Sequence, residues 1–594
     1  MPLSVLVTLD LVRDFIGVFP EGEPRPRVHI GDVEARRILG EQPDDGPLAR
    51  FLRACHARSG AGLKVVHLRD WHPPDDPEFE RYGPHCVEGT PGAAFVWESW
   101  LPAKEDGGVF LVNARKLNVF AEGILPGLLG WLVHREDAAN VRFGVIGVAT
   151  DLMVRHVCEG LQSYLGARRV AVCAELCASL TLESHFRGLE DLSEKLGVEV
   201  IERIPDFQAW LSMPEDSFVS RPRPYDVPEV VGAKGVSEAN LAVLQDLCRG
   251  SRDVRLEPLS GGFSGSRVFL AQRTGKRGVP QSLAVAKIDD RDKVSKERRG
   301  HLLAKGLLGP NVPEVIACSY GEARGGLLYS LATMRKPPVR TLKAILDGRP
   351  DLAEIDVLWD EVFHVLRDLY VNVRTEAANP YAKNTFRPEY TEHTLARLAE
   401  ILKCDVSKPV TVYGAGETFA PPRRFYDTLP LRVTAPGLPM RVGTAHGDLN
   451  LANLLLDRVK NVWVIDFFHA REDHYILQDV AKLENDLKYI ATRMTSNGDL
   501  GAFLRMEKAL LAQEDLSRPL PELDLPAGMW GSWQSIRRLR EFASRDLGEV
   551  DPHPYRVAQL RYAAHTLGFD EPDELQKRAA AMSTLMLCDW LSRR

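Results

Sequence analysis

The chain has 594 residues, 44% hydrophobic and 26% charged, with a formal net charge of -7 at pH 7. That length exceeds what one hydrophobic core organises, so at least two domains are expected, and the ordinary composition excludes a largely disordered or fibrous chain. The acidic balance gives no general attraction to nucleic acid. No apolar run approaches the roughly 18 residues that a membrane-spanning helix needs. The nine cysteines are scattered without CxxC pairs, which fits reduced thiols better than a zinc ribbon or a disulfide framework. The first ten residues lack the basic start and cleavage site of a signal peptide, so a cytoplasmic protein is expected.

In chain order, short apolar runs at 5–9, 63–68, 109–112, 141–148 and 169–173 are separated by stretches long enough for helices. This is the pattern of a parallel α/β domain, expected over residues 1–210. Ligands of such sheets sit beyond the carboxyl ends of the strands. Asp10, Asp70 and the pair Thr150 and Asp151 follow the first, second and fourth runs, so they are expected to converge on one crevice.

The wording of these segments carries a resemblance. Leu9, Asp10, Asp14 and Phe15 are similar to the opening of the isochorismatase-like hydrolases. Asp70, Trp71, His72, Pro73 and Pro74, with the later run from Pro84 and His85 to Gly92, resemble the nicotinamidase branch. Lys116 and the run Gly147, Val148, Ala149, Thr150, Asp151 complete the likeness. The resemblance implies Asp10 as general base with Lys116 as its partner. It also implies a cis peptide between Val148 and Ala149 whose amides help form an oxyanion hole, and a divalent metal such as zinc on Asp70, His72 and His85. An Asp-x-His pair with a distant His suits such an ion and leaves positions open for water or a pyridine nitrogen. The loop 75–78, Asp-Asp-Pro-Glu, lacks a further histidine ligand.

The departure is at Met153, where the resemblance places a nucleophilic cysteine. A thioether has no proton to lose and forms no acyl-enzyme. Cys158, five residues on, lies about 140° around a helix and is expected to point away. A pocket that binds without hydrolysing by the cysteine route is therefore expected; hydrolysis through metal-activated water is the alternative. A pyridine-like ligand and a homo-oligomer formed through this domain are the associated expectations.

Residues 211–238 are rich in Pro and Gly and read as a linker. Residues 239–594 form the second expected domain, with a helix at 240–247 and a small lobe to about 330. Gly261, Gly262, Ser264 and Gly265 sit in a Gly-rich turn before the apolar run 268–271, where backbone amides can approach phosphate oxygens. Lys287 ends the next apolar run and Glu297 lies on the following predicted helix, an arrangement suited to holding nucleotide phosphates. Residues 329–335 are expected to cross to a large lobe, 331–594, and to offer backbone groups to adenine.

In that lobe His446, Gly447, Asp448 and Asn453 precede the run 462–465, which ends in Asp466 and Phe467. Phosphoryl transfer needs a carboxylate to orient the attacking hydroxyl and oxygen ligands to hold magnesium against the phosphates. Asp448 suits the first role, and Asn453 and Asp466 the second. The His-Gly-Asp wording, with Asn450 where protein kinases carry Lys, resembles the aminoglycoside and choline phosphotransferases, and more loosely the phosphotransferase-like modules of multi-component bacterial signalling or conflict systems. The resemblance implies a protein-kinase-like, two-lobed α+β fold with a helical C-terminal part. It also implies ATP and Mg2+, a small-molecule substrate, and Asp479 as a brace for the catalytic loop. A nucleotide-binding pseudokinase that signals through shape is the reading from another class.

Overall fold

This computed structural model describes all residues except 1–2, 21–22, 41, 61, 102–107, 134–137, 220–226, 260–265, 276, 322, 332–338, 413–416 and 594. The chain divides into two compact units. One comprises Met1–Val294 with Glu314–Ser330, the other Ser295–Pro313 with Leu331–Arg594. The division does not fall at the linker 211–238.

The first unit holds two six-stranded sheets. Strands β1 (Ser4–Leu9), β2 (Leu63–Asp70), β3 (Val109–Ala114), β4 (Arg142–Val148), β5 (Arg169–Ala178) and β6 (Glu199–Ile201) are parallel in the order β3-β2-β1-β4-β5-β6. The order reverses at β1 and β4, and the crevice of such a sheet opens where neighbouring connections leave in opposite directions. β1 is buried along its whole length, as a central strand covered on both faces must be.

The second sheet joins β7 (Glu229–Val231), β8 (Ser251–Pro258), β9 (Arg267–Gly275), β10 (Ala284–Asp290), β11 (Val315–Tyr320) and β12 (Arg324–Ser330) in the order β11-β12-β10-β9-β8-β7. It is antiparallel apart from the β7–β8 pair. The alternating burial of β10 marks a sheet with one covered face. Two features fasten the sheets into one unit. The helix Leu182–Glu194 packs against β11 on one side and against the turn Thr150–Val154 on the other. Arg249, after the helix Glu238–Leu247, meets Glu34 of the helix Asp32–Leu39 at 3.7 Å, with both side chains at least nine-tenths buried. Burial pushes the Glu34 carboxyl up, but Arg249 and Arg37 outweigh it and hold it at about 2.

The second unit is mostly helical. Its short strands are β13 (Arg340–Thr341), β14 (Arg374–Ala378), β15 (Val410–Val412), β16 (Glu417–Phe419), β17 (Leu438–Ala445), β18 (Leu454–Leu456), β19 (Val462–Val464) and β20 (Arg471–Tyr475). They form the small sheets β13-β18-β19, β14-β17-β20 and β15-β16. The helices Leu477–Asp486, Pro552–Thr566 and Glu574–Ser592 are buried over most of their surface and make the core. A charged network runs through it, in which Arg540 grips Glu484 at 2.9 and 3.0 Å, and Tyr555 donates to the same carboxylate at 2.7 Å. No described helix is long and apolar enough to cross a membrane.

Candidate functional sites

The parallel sheet places Asp10 and Asp70 at the carboxyl ends of adjacent strands, as the sequence pattern requires. The Asp70 amide donates to Asp10 Oδ1 at 2.8 Å, while Asp10 Oδ2 is buried with no hydrogen-bond partner. Burial, with Asp70 next to it, pushes the Asp10 carboxyl well above its ordinary value. Asp10 also holds a left-handed backbone, φ 49°, a conformation that surrounding structure must enforce.

Asp70, His72 and His85 bring one ligand atom each to within 4.8 Å of one another, all buried. His72 Nδ1 is engaged by Asp76 Oδ2 at 3.1 Å, and His85 Nδ1 by the Gly83 carbonyl at 2.7 Å. Each ring therefore turns Nε2 inward, at 3.6 Å and 4.0 Å from Asp70 Oδ2, and His72 Nε2 has no hydrogen-bond partner. Outer contacts that fix the tautomer and leave an orphaned inner nitrogen suit a divalent metal. Glu78 carries the further carboxylate of the loop, in a second group with His72 and Asp76. Burial and Asp70 raise its pKa. Asp14 braces the opposite wall by accepting the Cys86 amide at 2.8 Å.

The hydrolytic parts are not assembled around this site. Lys116 lies two residues beyond β3 with an exposed side chain, and no ion pair joins it to Asp10. Met153 is buried in the π-helical turn Thr150–Val154. The Val148–Ala149 peptide is cis, and beyond it the amides of Thr150 and Asp151 donate to Ser179 Oγ at 2.9 and 3.4 Å. Thr150 Oγ1 pairs with His185 Nδ1 at 2.8 Å, so Thr150 faces the helix Leu182–Glu194 and not the crevice. That helix approaches so closely at Gly188 that a Cβ there would lie 2.6 Å from the Asp151 amide. No described thiol is poised as a substitute. Cys158 and Cys86 are buried, and burial raises both pKa values.

In the second unit Asp479, fully buried on the helix Leu477–Asp486, accepts the amides of His446 and Gly447 at 2.8 Å each and the Tyr370 hydroxyl at 3.0 Å. Gly447 has φ 81°, and a Cβ there would meet the His469 carbonyl at 2.6 Å, so only glycine fits. His446 Nε2 bonds the Ile465 carbonyl at 2.8 Å. Asn453 Nδ2 donates to the Asp448 carbonyl at 3.0 Å, and the Ile465 amide reaches the Asn453 carbonyl at 3.0 Å. Asp448, Asn453 and the backbone leading into Asp466 are thus drawn into one loop system. Asp466 itself is held at φ 67°. With its amide nitrogen used, Asn453 is left with Oδ1 as its free side-chain oxygen.

Sequence reasoning missed Lys482. Its Nζ stands 3.6 Å from Asp448 Oδ1 and 3.7 Å from Asp486 Oδ1. Its spacing after Asp479 and before Asp486 on a helix was the available signal. Lys287 is half-buried on β10 of the first unit. Glu297 is buried on the helix Arg291–Leu308, in the part that belongs to the second unit. Gly261, Gly262, Ser264 and Gly265 lie outside the described residues, as do 332–335 of the expected crossing.

The family model of Ternary complex associated domain 9 matches residues 415–568, which include the loop of Asp448. No curated protein matches the chain. Among solved structures, the pyrazinamidase/nicotinamidase from Streptococcus mutans UA159 is 22% identical over 33% of this chain and 99% of its own, with a TM-score of 0.27. An isochorismatase-like hydrolase from Alkaliphilus metalliredigens is 26% identical over 35% and 99%, with a TM-score of 0.27. The pyrazinamidase of Pyrococcus horikoshii in complex with zinc is 24% identical over 34% and 100%, with a TM-score of 0.24.

Proposed function

We propose that residues 239–594 work as an ATP- and Mg2+-dependent phosphotransferase acting on a hydroxyl of a small molecule. In this reading the crevice of residues 1–210 holds a divalent metal and a small flat ligand without hydrolysing it by a cysteine route. The observation that supports the first half is the bracing of His446 and Gly447 by Asp479, with Asn453 tied to Asp448. It presents the Asp448 carboxylate at 42% side-chain exposure beside the buried His446, Leu449 and Leu451. Asp448 then takes the hydroxyl proton as the nucleophile advances; Asn453 and Asp466 are the residues that would hold a magnesium ion, which would supply charge neutralisation at the phosphates.

For the crevice, the support is the contrast between the converging ligand atoms of Asp70, His72 and His85 and a hydrolytic set lacking both thiol and ion-paired lysine. Phe15 and Trp71 supply aromatic wall for a pyridine-like ligand.

The test is nucleotide consumption by the purified full chain across an alcohol panel, with elemental analysis of the same preparation. Transfer of label from γ-labelled ATP and about one equivalent of metal, lost in His72→Ala, are expected. Tight magnesium-ATP binding without transfer to any alcohol overturns the phosphotransferase and leaves a pseudokinase. Absence of metal overturns the crevice assignment.

A further inference from the structure

The helix Leu477–Asp486 meets the loop of Asp448 along one face. Asp479, Lys482 and Asp486 recur at i, i+3 and i+7 and so share that face. Asp479 accepts the amides of His446 and Gly447, and Asp486 Oδ2 accepts that of Leu451 at 3.2 Å. These two anchors take backbone. Between them Lys482 takes a side chain, with its Nζ 3.6 Å from Asp448 Oδ1. The three contacts run in the same order along the helix and along the loop, so the helix acts as a template on which the loop is laid out.

Lys482 does not need Asp448 in order to be buried. Asp486, one turn along the same helix, already supplies a carboxylate at 3.7 Å. The rings of Tyr562 and Phe569 lie 5.5 and 5.8 Å from the ammonium, within reach of a cation–π contact. Lys482 and Asp486 are buried, whereas the Asp448 side chain is open to solvent, and an ion pair with one open end adds little to stability because water screens it. What the contact fixes is direction. The terminal torsion of an aspartate is only weakly restrained by its own sterics. With Oδ1 drawn to the ammonium, Oδ2 is the oxygen left to meet a substrate hydroxyl. Burial lowers the Lys482 pKa, but Asp486 and Asp448 outweigh it and raise it, so the ammonium keeps its protons and acts as a fixed charge.

We propose that Lys482 is a positioning residue for phosphoryl transfer, pinning Asp448 Oδ1 so that Oδ2 faces the acceptor hydroxyl. This rests on the phosphotransferase reading above. In the transfer, the acceptor oxygen forms the new O–P bond, its proton passes to Asp448 Oδ2, and the bond from the γ-phosphorus to the bridging oxygen breaks to release ADP. Asp448 is neutral at that moment, and a buried ammonium with no other partner would then stand uncompensated. Asp486 removes that cost, because it remains beside Lys482 as a counter-charge throughout the step.

Lys482→Met alone leaves Asp486 buried without a counter-charge and can fail to fold, so the deciding variant is Lys482→Met combined with Asp486→Asn, in which neither charge remains. The full chain and this variant are assayed for label transfer from γ-labelled ATP to a panel of alcohols, and the crystal structures of both are compared at Asp448. In the folded variant kcat is expected to fall about 100-fold, as a misaimed reacting group costs, with the KM values for ATP and acceptor within about threefold of the parent. Lys482→Arg, which keeps the charge, is expected to recover part of kcat. The Asp448 carboxylate is expected in one orientation in the parent and turned from it, or spread over several, in the variant. A kcat within about threefold of the parent, or a loss carried by KM alone, overturns the proposal. An unchanged Asp448 orientation in the variant overturns it as well, whatever the turnover. A parent that transfers to no alcohol, with Asp448 displaced only in the variant, sinks the phosphotransferase and leaves Lys482 as the residue that aims Asp448.

Discussion

The two candidate sites were treated differently by the sequence. At the carboxyl ends of β1 and β2, Asp70, His72 and His85 converge, while Lys116 is exposed and position 153 carries a buried thioether. In the loop of Asp448 the backbone is braced by Asp479 and the Asp448 carboxylate is open to solvent. In both places backbone and burial set the geometry, and single side chains decide what chemistry that geometry could serve.

This comparison is broken most directly by Asp448→Ala. Transfer is expected to fall about 1,000-fold with nucleotide affinity preserved, since only the carboxylate that takes the proton is removed. A loss under tenfold in a turnover assay would put the second site on the same footing as the first.

Asp479→Ala strikes the support instead of the reacting group. It leaves the amides of His446 and Gly447 and the Tyr370 hydroxyl without their acceptor in a fully buried place. A loss of about 3–5 kcal/mol is expected in denaturant unfolding. Stability within about 1 kcal/mol of the parent would show that the loop is braced from elsewhere.

The first unit has its own pH signature. Glu34 is held at about 2 by Arg249 and Arg37 against the effect of burial, below its ordinary value of 4.5. A depressed folded-state pKa gives stability that is complete above the unfolded value and lost as pH falls from about 4.5 towards about 2, here of the order of 3 kcal/mol. Glu34→Gln should flatten the acid limb of an unfolding curve monitored in the first unit; an unchanged limb refutes the assignment.

The smallest expected effect sharpens the comparison most. Met153→Cys places an ionisable thiol in the turn, but Asp10 remains unpaired with Lys116 and Asp10 is pushed towards its neutral form by burial. Nicotinamide hydrolysis is expected to stay within about tenfold of background. Robust turnover in an ammonia-release assay would mean that the thiol alone was missing.

Much of this was legible in the chain, and the pattern of what was not is physical. The five expected runs became β1 to β5 within a few residues, because fully buried parallel strands are long and apolar. β6 is short and part-exposed, and no run announced it. The predicted helix at 240–247 is Glu238–Leu247, and the one carrying Glu297 is Arg291–Leu308. The convergence of Asp10 with Asp70 follows from strand order. The turning of Thr150 towards His185 does not, since it depends on a helix thirty residues away in sequence. Regular helical spacing was assumed through Met153, whereas the turn there is π-helical. The helical spacing of Lys482 between Asp479 and Asp486 was a signal, but its approach to Asp448 depends on tertiary packing.

The close approach at Gly188 ties two parts of the fold together. The helix Leu182–Glu194 has no room for even a methyl group over the turn that bears Met153, and it also packs against β11. The turn is therefore a footing for the second sheet. Any drift in its shape would be felt there, like a settling foundation under a wall.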